Sequence, residues 1–443
     1  MKYMSEKKLF TVCGRPILHS KSPDIFRLLF AGKDYPGYYT RISSGNAKEI
    51  LSIVKELNIS GLNVTSPFKA EMFKLINQSD SVAEAVSAVN TILFKEGVSY
   101  GYNTDTIGVV ETLKQNGIDL NNKSCLIVGY GSSAGAAVYG IKTEWQDADV
   151  IITGRNKEKM IKFSESLKCR FISTGENLKP YLIISTLPKN EYYDINNYLK
   201  YCNYFLDAAY PFSLLRNEAR KYNCKIIQGE EWLVNQAIGS FNIFKGEDIP
   251  LSVQKDNIQW ILNQVQNDII TRLKNIYLTG FSGSGKTSIG KLLAEKFGYL
   301  YFDTDKLIEE RENLSINNIF QNKGEEYFRN VEGEVLEKIS KIKNAVISCG
   351  GGTLLNENSI ELAKKTGYII WLHSPLEVCL DRIDKKEKPM LKSKSIQEIE
   401  NLYNERKFLY CKSSDLLVAN SGSTNKVVDD IIYEVNSINL INN

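Results

Sequence analysis

The stretch NIYLTGFSGSGKT, residues 275–287, followed by SIGKLLAEKF, residues 288–297, decides the fold of the back half of the chain. Residues 275–279 form a short apolar run rich in strand formers, and residues 288–297 repeat apolar positions at helical spacing. Between them lies G-x-x-x-x-G-K-[ST], in the strand, glycine loop, helix order that a phosphate-binding loop requires. Glycines let backbone N–H groups curl round phosphate oxygens at a helix N-terminus. Lys286 would neutralise the outer phosphates, and the Thr287 hydroxyl would ligate Mg²⁺. Gly283, Ser284, Gly285, Lys286 and Thr287 are therefore candidate nucleotide-binding residues.

Outward from this loop, YLYFDTD places Asp303 and Asp305 two residues apart at what reads as a strand end, so both carboxylates would project to one side. Alone, Asp305 would pass as a cap for the helical KLIEERE that follows. GEEYFRNVE carries Arg329 and Glu332 at i, i+3 spacing, in isolation an ordinary solvated pair. AVISCGGGTLL puts Gly350, Gly351 and Gly352 straight after an apolar strand, where glycines weaken the fold unless something must approach the backbone closely.

Together, the phosphate loop, F-D-x-D, G-E-x-x-F-R-x-x-E, G-G-G and the E-R of NERKFLY resemble the shikimate kinase family over about residues 273–440. The resemblance implies a nucleoside-monophosphate-kinase-like parallel sheet with a closing lid, which moves the γ-phosphoryl group of ATP to the 3-hydroxyl of shikimate. By motif position it implies that Asp305 holds or deprotonates that hydroxyl and Asp303 sits in the Mg²⁺ shell. Arg329 and Arg406 would clamp the carboxylate, with Gly350, Gly351 and Gly352 lining the ring. An arginine fork suits that task, since it grips a planar carboxylate through two parallel hydrogen bonds. Arg382 falls at the adenine-contacting position, and Lys388 stands in the lid, where Lys388-Pro389-Met390-Leu391 departs from the family's Arg-Pro-Leu-Leu.

The front half carries a second nucleotide signature. CLIVGYGSSAGAAVYG, residues 125–140, contains Gly129, Gly131, Ser132, Ser133 and Ala134 in a G-x-G-x-x-A arrangement between an apolar run and a helical one. The next strand-like run, ADVIITGRN, ends in Arg155 where an NAD-preferring protein carries an acid, which favours the 2′-phosphate of NADP(H). Asp149 is the rival acid, but it stands at the start of that run.

Before this segment lie HSKSP, GLNVTSPFK, AVNTI and YGYNTDTIG, polar motifs on apolar flanks. In that order they resemble shikimate dehydrogenase, over about residues 8–262. The resemblance implies reduction of 3-dehydroshikimate, with Ser20 and Ser22 on the substrate carboxylate and Thr65, Asn90 and Gln236 on ring hydroxyls. Lys69 and Asp105 would be the catalytic pair, and Tyr210, in DAAYPFSLL, would lie near the nicotinamide. The chemistry suits these residues, because hydride addition to a ketone leaves an alkoxide that needs a proton donor. Lys69 is the natural one, since the chain has only two histidines, His19 and His373.

The expected architecture is thus α/β throughout. Residues 1–105, completed by helices within 236–263, form a substrate domain, and 106–235 a Rossmann NADP domain. Residues 264–274 are a linker, and 275–443 a P-loop domain with its lid around 383–395. A chain of 443 residues is long enough for more than one core. The balance of 55 basic against 52 acidic residues argues against nucleic acid or a membrane surface as partner. Eight scattered cysteines and the lack of a long apolar run point to a reduced, cytoplasmic setting, as a monomer or homodimer with small-molecule substrates. The rival readings are a catalytically silent ligand sensor built from the same domains, and a front half that prefers quinate.

Overall fold

The computed structural model describes residues 7–173, 175–210, 213–246, 275–383, 394–420 and 422–442. Its strands, in chain order, begin with β1 (Lys8–Gly14), β2 (Gly37–Ser43), β3 (Gly61–Val64), β4 (Gln78–Ser79), β5 (Thr91–Lys95) and β6 (Val98–Tyr102). The middle of the chain adds β7 (Ser124–Val128), β8 (Asp149–Thr153), β9 (Arg170–Phe171), β10 (Leu182–Ser185), β11 (Tyr204–Asp207) and β12 (Lys225–Gln228). The back half contributes β13 (Asn275–Thr279), β14 (Leu300–Asp303), β15 (Ala345–Ser348), β16 (Gly367–His373) and β17 (Leu416–Ala419). Helices alternate with these strands, so the expected α/β class is observed.

The chain groups into two compact units. One comprises Met1–Pro23, Asp34–Ser66 and Ile269–Asn443. Its strands run in the order β14-β15-β13-β16-β17-β2-β1-β3, with every pairing parallel. Such strands are covered on both faces and read as unbroken apolar runs. Ile276, Tyr277 and Leu278 of β13 and Ile369, Ile370 and Leu372 of β16 are accordingly buried. β17 joins β2 through the register Leu417↔Ile42 and Val418↔Ser43.

The other unit comprises Asp24–Lys33 and Pro67–Asp268. It holds a six-stranded sheet in the order β12-β11-β10-β7-β8-β9, parallel throughout, and the antiparallel pair β5 and β6 with β4 alongside. The helix Gly229–Lys245 packs on the helix Asp105–Gln115. Trp232 Nε1 donates to the carbonyl of Asp105 at 2.8 Å, and Asn235 Nδ2 donates to Thr112 Oγ1 at 3.0 Å. The close fit depends on Gly108, because a Cβ there would lie 2.7 Å from the Trp232 ring. Further along, Phe241 and Phe244 meet Phe30 and Phe26 at ring-centroid separations of 5.8 and 5.7 Å. Gln236 lies in this helix. Residues 247–263, the linker 264–274, and Lys388 with most of the expected lid lie outside the described residues.

Candidate functional sites

In the back half the phosphate loop connects β13 to the helix Lys286–Phe297. Gly283 and Gly285 take φ of 81° and 85°, a region closed to most side chains, which allows the loop to fold over the helix N-terminus. Lys286 Nζ donates to the carbonyls of Gly280 and Phe281 at 2.8 and 3.0 Å. Asn420 Nδ2, after β17, holds the Ser284 carbonyl at 2.9 Å. Thr287 Oγ1 donates to Asp303 Oδ2 at 3.2 Å.

The two aspartates do not alternate along a strand, as the sequence suggested. Asp303 ends β14 and caps the helix Thr304–Glu312, and Asp305 lies in that helix's first turn. The helix begins two residues earlier than a cap at Asp305 implies, because Asp303 supplies the cap. The helix Ile316–Ser340 is interrupted at Gly324, φ 83° and ψ 171°, just before the segment that bears Arg329. Arg329 Nη1 donates to Glu332 Oε2 at 2.7 Å. This is no solvated pair, since the Glu332 side chain is 3% exposed and also accepts from Thr353 Oγ1 at 2.6 Å. Burial pushes the Glu332 carboxyl above its usual range, and Arg329 and Thr353 pull it part of the way back.

The glycine triplet explains itself through its neighbours. A Cβ on Gly350 would collide with Asp305 Oδ1. On Gly351 it would lie 3.0 Å from Arg406 Nη1, and on Gly352 2.5 Å from Arg329 Nη1. Three residues far apart in sequence therefore converge on one bare backbone. Arg406 is buried in the helix Ile396–Ser413, whose start is fixed by a capping box between Ser395 and Glu398. Tyr410, one turn on, donates to the Gly351 carbonyl at 2.9 Å. Arg382 is exposed at the end of the helix Leu376–Asp381. Glu332, Thr353, Tyr410 and Asn420 were absent from the residues singled out as site candidates. Glu332 showed a spacing signal; the others became visible only once the sheet was assembled.

In the front half, Lys69 opens the helix Lys69–Phe73 and Asp105 opens the helix Asp105–Gln115. Lys69 Nζ lies 2.5 Å from Asp105 Oδ2, with both side chains nearly buried. Asn90 Nδ2 donates to Asp105 Oδ1 at 2.9 Å, to Thr104 Oγ1 at 3.0 Å and to Gln236 Oε1 at 3.3 Å. Lys69, Asn90, Asp105 and Gln236 thus form one connected set, backed by Thr91, Thr104 and Ser240, whose hydroxyls lie within hydrogen-bond reach of one another.

Ser20, Ser22 and Thr65 belong to the other compact unit. The Ser20 and Ser22 hydroxyls are 3.3 Å apart and both residues are buried. The Thr65 amide donates to the Cys13 carbonyl at 2.9 Å, and a Cβ on Gly14 would lie 2.5 Å from Thr65 Cγ2. Tyr39 Oη donates to Asn63 Oδ1 at 2.7 Å. Asn63 lies within GLNVTSPFK, whereas the aromatic run around Tyr39 carries no motif.

The glycine turn between β7 and the helix Ser132–Glu144 presents Gly129 at φ 124° and Gly131 at the helix N-cap, with Ser132 and Ser133 opening the helix. Ala134 is buried against the sheet, and a side chain on Gly129 would strike Thr186. This leaves amide groups at a helix N-terminus, the geometry that accepts a pyrophosphate. Arg155 follows β8 and is ion-paired with Glu191, both at the surface. Tyr210 lies half-buried after β11, next to a buried lock in which Arg216 donates to Asp207 Oδ2 at 2.9 Å and to the Ala209 carbonyl at 2.6 Å. Among the described residues no cluster of His, Cys, Asp and Glu could hold a metal ion alone, and no helix is long and apolar enough to cross a membrane.

Comparison with known proteins agrees with this division. Residues 282–436 match the shikimate kinase family and residues 12–92 the shikimate dehydrogenase substrate binding domain. A shikimate kinase of Sulfurihydrogenibium sp. (strain YO3AOP1) is 41% identical over 37% of this chain and 98% of its own length. A shikimate dehydrogenase (NADP(+)) of Aquifex aeolicus is 31% identical over 58% of this chain and 97% of its own. The crystal structure of shikimate dehydrogenase from Aquifex aeolicus superposes with a TM-score of 0.53 at 28% identity, covering 58% of this chain and 98% of that one. With both relatives spanned nearly end to end, the chain belongs to two families at once, the shikimate dehydrogenases through its front half and the shikimate kinases through its back half.

Proposed function

We propose that the chain catalyses two consecutive reactions, NADPH-dependent reduction of 3-dehydroshikimate to shikimate and ATP-dependent phosphorylation of the shikimate 3-hydroxyl. The domain division that goes with this reading is 1–105 with 236–263 for the first substrate, 106–235 for NADP(H), 264–274 as linker and 275–443 for the kinase. The setting is the cytoplasm, as a monomer or homodimer.

For the first reaction the supporting observation is the 2.5 Å contact between Lys69 Nζ and Asp105 Oδ2 in a nearly buried setting. Bound at the turn of Gly129, Gly131, Ser132, Ser133 and Ala134, NADPH would supply the hydride. Lys69 donates the proton that the resulting alkoxide requires, and Asp105 orients the ammonium through the same hydrogen bond. Asn90 and Gln236 hold ring hydroxyls, as does Thr65, and Ser20 and Ser22 receive the carboxylate. Tyr210 would lie by the nicotinamide. Arg155 would exchange Glu191 for the 2′-phosphate, a better partner for a guanidinium fork.

For the second reaction the support is the convergence of Asp305, Arg329 and Arg406 on Gly350–Gly352. Two guanidinium groups select a carboxylate, and Asp305 takes the hydroxyl that attacks. Thr287 and Asp303 offer a hydroxyl and a carboxylate oxygen, the donors that Mg²⁺ accepts beside nucleotide phosphates. Such an ion would screen the phosphate charge. Lys286 would neutralise the transferred phosphate and Arg382 would contact the adenine, with Lys388, outside the described residues, as the remaining nucleotide-binding candidate.

The direct test assays each half-reaction on the full chain and on Lys286→Ala. Shikimate oxidation should exceed quinate oxidation, and Lys286→Ala should abolish phosphorylation while leaving reduction intact. Loss of both activities, or phosphorylation unaffected by the change, would refute the assignment.

A further inference from the structure

The last helix of the kinase half, Thr424–Asn442, carries Glu434, whose side chain is fully buried. A buried carboxylate is costly unless donors surround it. Here the donors come from the dehydrogenase half. Glu434 Oε2 accepts from the amides of Ile17 and Leu18 at 2.8 and 2.9 Å, and Oε1 from Ser43 Oγ at 2.6 Å. Ile17 in turn accepts at its carbonyl from the Ser20 amide at 2.9 Å. The carboxylate therefore fixes the first turn of the segment that leads to Ser20 and Ser22.

The far side of the same segment is held as well. Arg41 donates through Nε and Nη2 to the Ser20 carbonyl at 3.0 and 2.6 Å, and through Nη1 to the Asp415 carbonyl at 2.9 Å. Asp415 directly precedes β17, and its side chain accepts from the Ile369 amide of the kinase sheet at 2.9 Å. Arg15 adds an ion pair to Asp430 at 2.7 Å, one turn before Glu434. The serine segment is thus gripped at its start and at Ser20 by groups anchored in the kinase half. All of these residues lie within one compact unit.

We propose that Glu434 is a positioning residue for the dehydrogenase reaction, holding the Ser20–Ser22 segment so that the front half's grip on its carboxylate substrate depends on the kinase half's last helix. This rests on the reading of Ser20 and Ser22 as the carboxylate site. Two amide donors locked on one charged oxygen leave the turn little freedom, so the serine hydroxyls are ordered before substrate arrives. Ground-state recognition of the acid suffers when the lock is lost, whereas proton delivery from Lys69 does not pass through it.

The test is steady-state kinetics on the full-length chain with Glu434→Ala, Glu434→Gln, Ser43→Ala and Ser22→Ala. Glu434→Ala should raise KM for 3-dehydroshikimate about tenfold while kcat changes less than about threefold. KM for shikimate and ATP in the kinase assay should stay at wild-type values. Glu434→Gln, which can still accept from both amides, should recover most of the loss. Ser43→Ala removes one contact and should raise the same KM by about threefold, a reading that stands even if Glu434→Ala does not fold. An unchanged KM for 3-dehydroshikimate in Ser43→Ala and Glu434→Ala, or equal rises in both half-reactions, overturns the proposal. Ser22→Ala separates the two claims. If it raises KM while Glu434→Ala does not, only the positioning role fails; if Ser22→Ala leaves KM unchanged, the carboxylate reading itself fails.

Discussion

Lys69 and Asp105 show how a pair unremarkable in sequence gains a function from its surroundings. Each opens a short helix, and either alone would be a surface lysine or a capping acid, but together they are nearly buried and share one hydrogen bond. Lys69→Ala should reduce the dehydrogenase rate by roughly 10² to 10⁴, the usual yield of a positioned proton donor, and leave phosphorylation untouched. Initial rates of NADPH consumption by the variant check this, and wild-type turnover would remove Lys69 from the mechanism. In the kinase half, Glu332 makes a prediction about pH. Its carboxyl is raised above its ordinary value of 4.5, chiefly by burial. The native chain therefore keeps a proton that the unfolded chain has already released. Stability from that proton is complete below about 4.5 and is lost as pH rises through the native value. Thermal melts of wild type and Glu332→Gln should accordingly diverge above that pH, with wild type losing ground. Curves that stay parallel across the range would contradict the shift.

At the scale of elements, the loop after β15 is the structural centre of the kinase site. Gly350, Gly351 and Gly352 are bare because Asp305, Arg406 and Arg329 approach them. Gly352→Ala would bring a Cβ 2.5 Å from Arg329 Nη1, the mobile end of a long side chain. The fold should survive, but Arg329 must move. KM for shikimate in the kinase assay should rise by about tenfold or more, as expected when a charged partner is displaced, with the dehydrogenase unchanged. A wild-type KM would exclude Arg329 from carboxylate binding. This loop was legible in the sequence because glycines after a core strand are costly without a reason, and the phosphate loop was legible for the same cause. The arrangement of Asp303 and Asp305 was misread, because the spacing of apolar residues cannot show which aspartate caps the helix. Glu332 was legible as a partner of Arg329 but not as a buried one, since its depth is set by Thr353 and by packing remote in sequence. Glu434 and Arg41 gave no signal at all. The partners of Glu434, and the Asp415 carbonyl that Arg41 reaches, lie hundreds of residues away, across the pairing of β17 with β2.

At the scale of the whole molecule, two families meet in one chain whose proposed reactions share an intermediate. The product of the first is the acceptor of the second, so each assignment lends weight to the other. The β17–β2 pairing and the Glu434 contacts give the fusion a structural consequence beyond equal production of two activities. Purified full-length protein supplied with 3-dehydroshikimate, NADPH, ATP and Mg²⁺, and then with each omitted in turn, is the most direct test. Shikimate 3-phosphate should form only in the complete mixture, and shikimate should accumulate when ATP is withheld. Failure to consume NADPH, or accumulation of shikimate as the end product with ATP and Mg²⁺ present, would contradict the account.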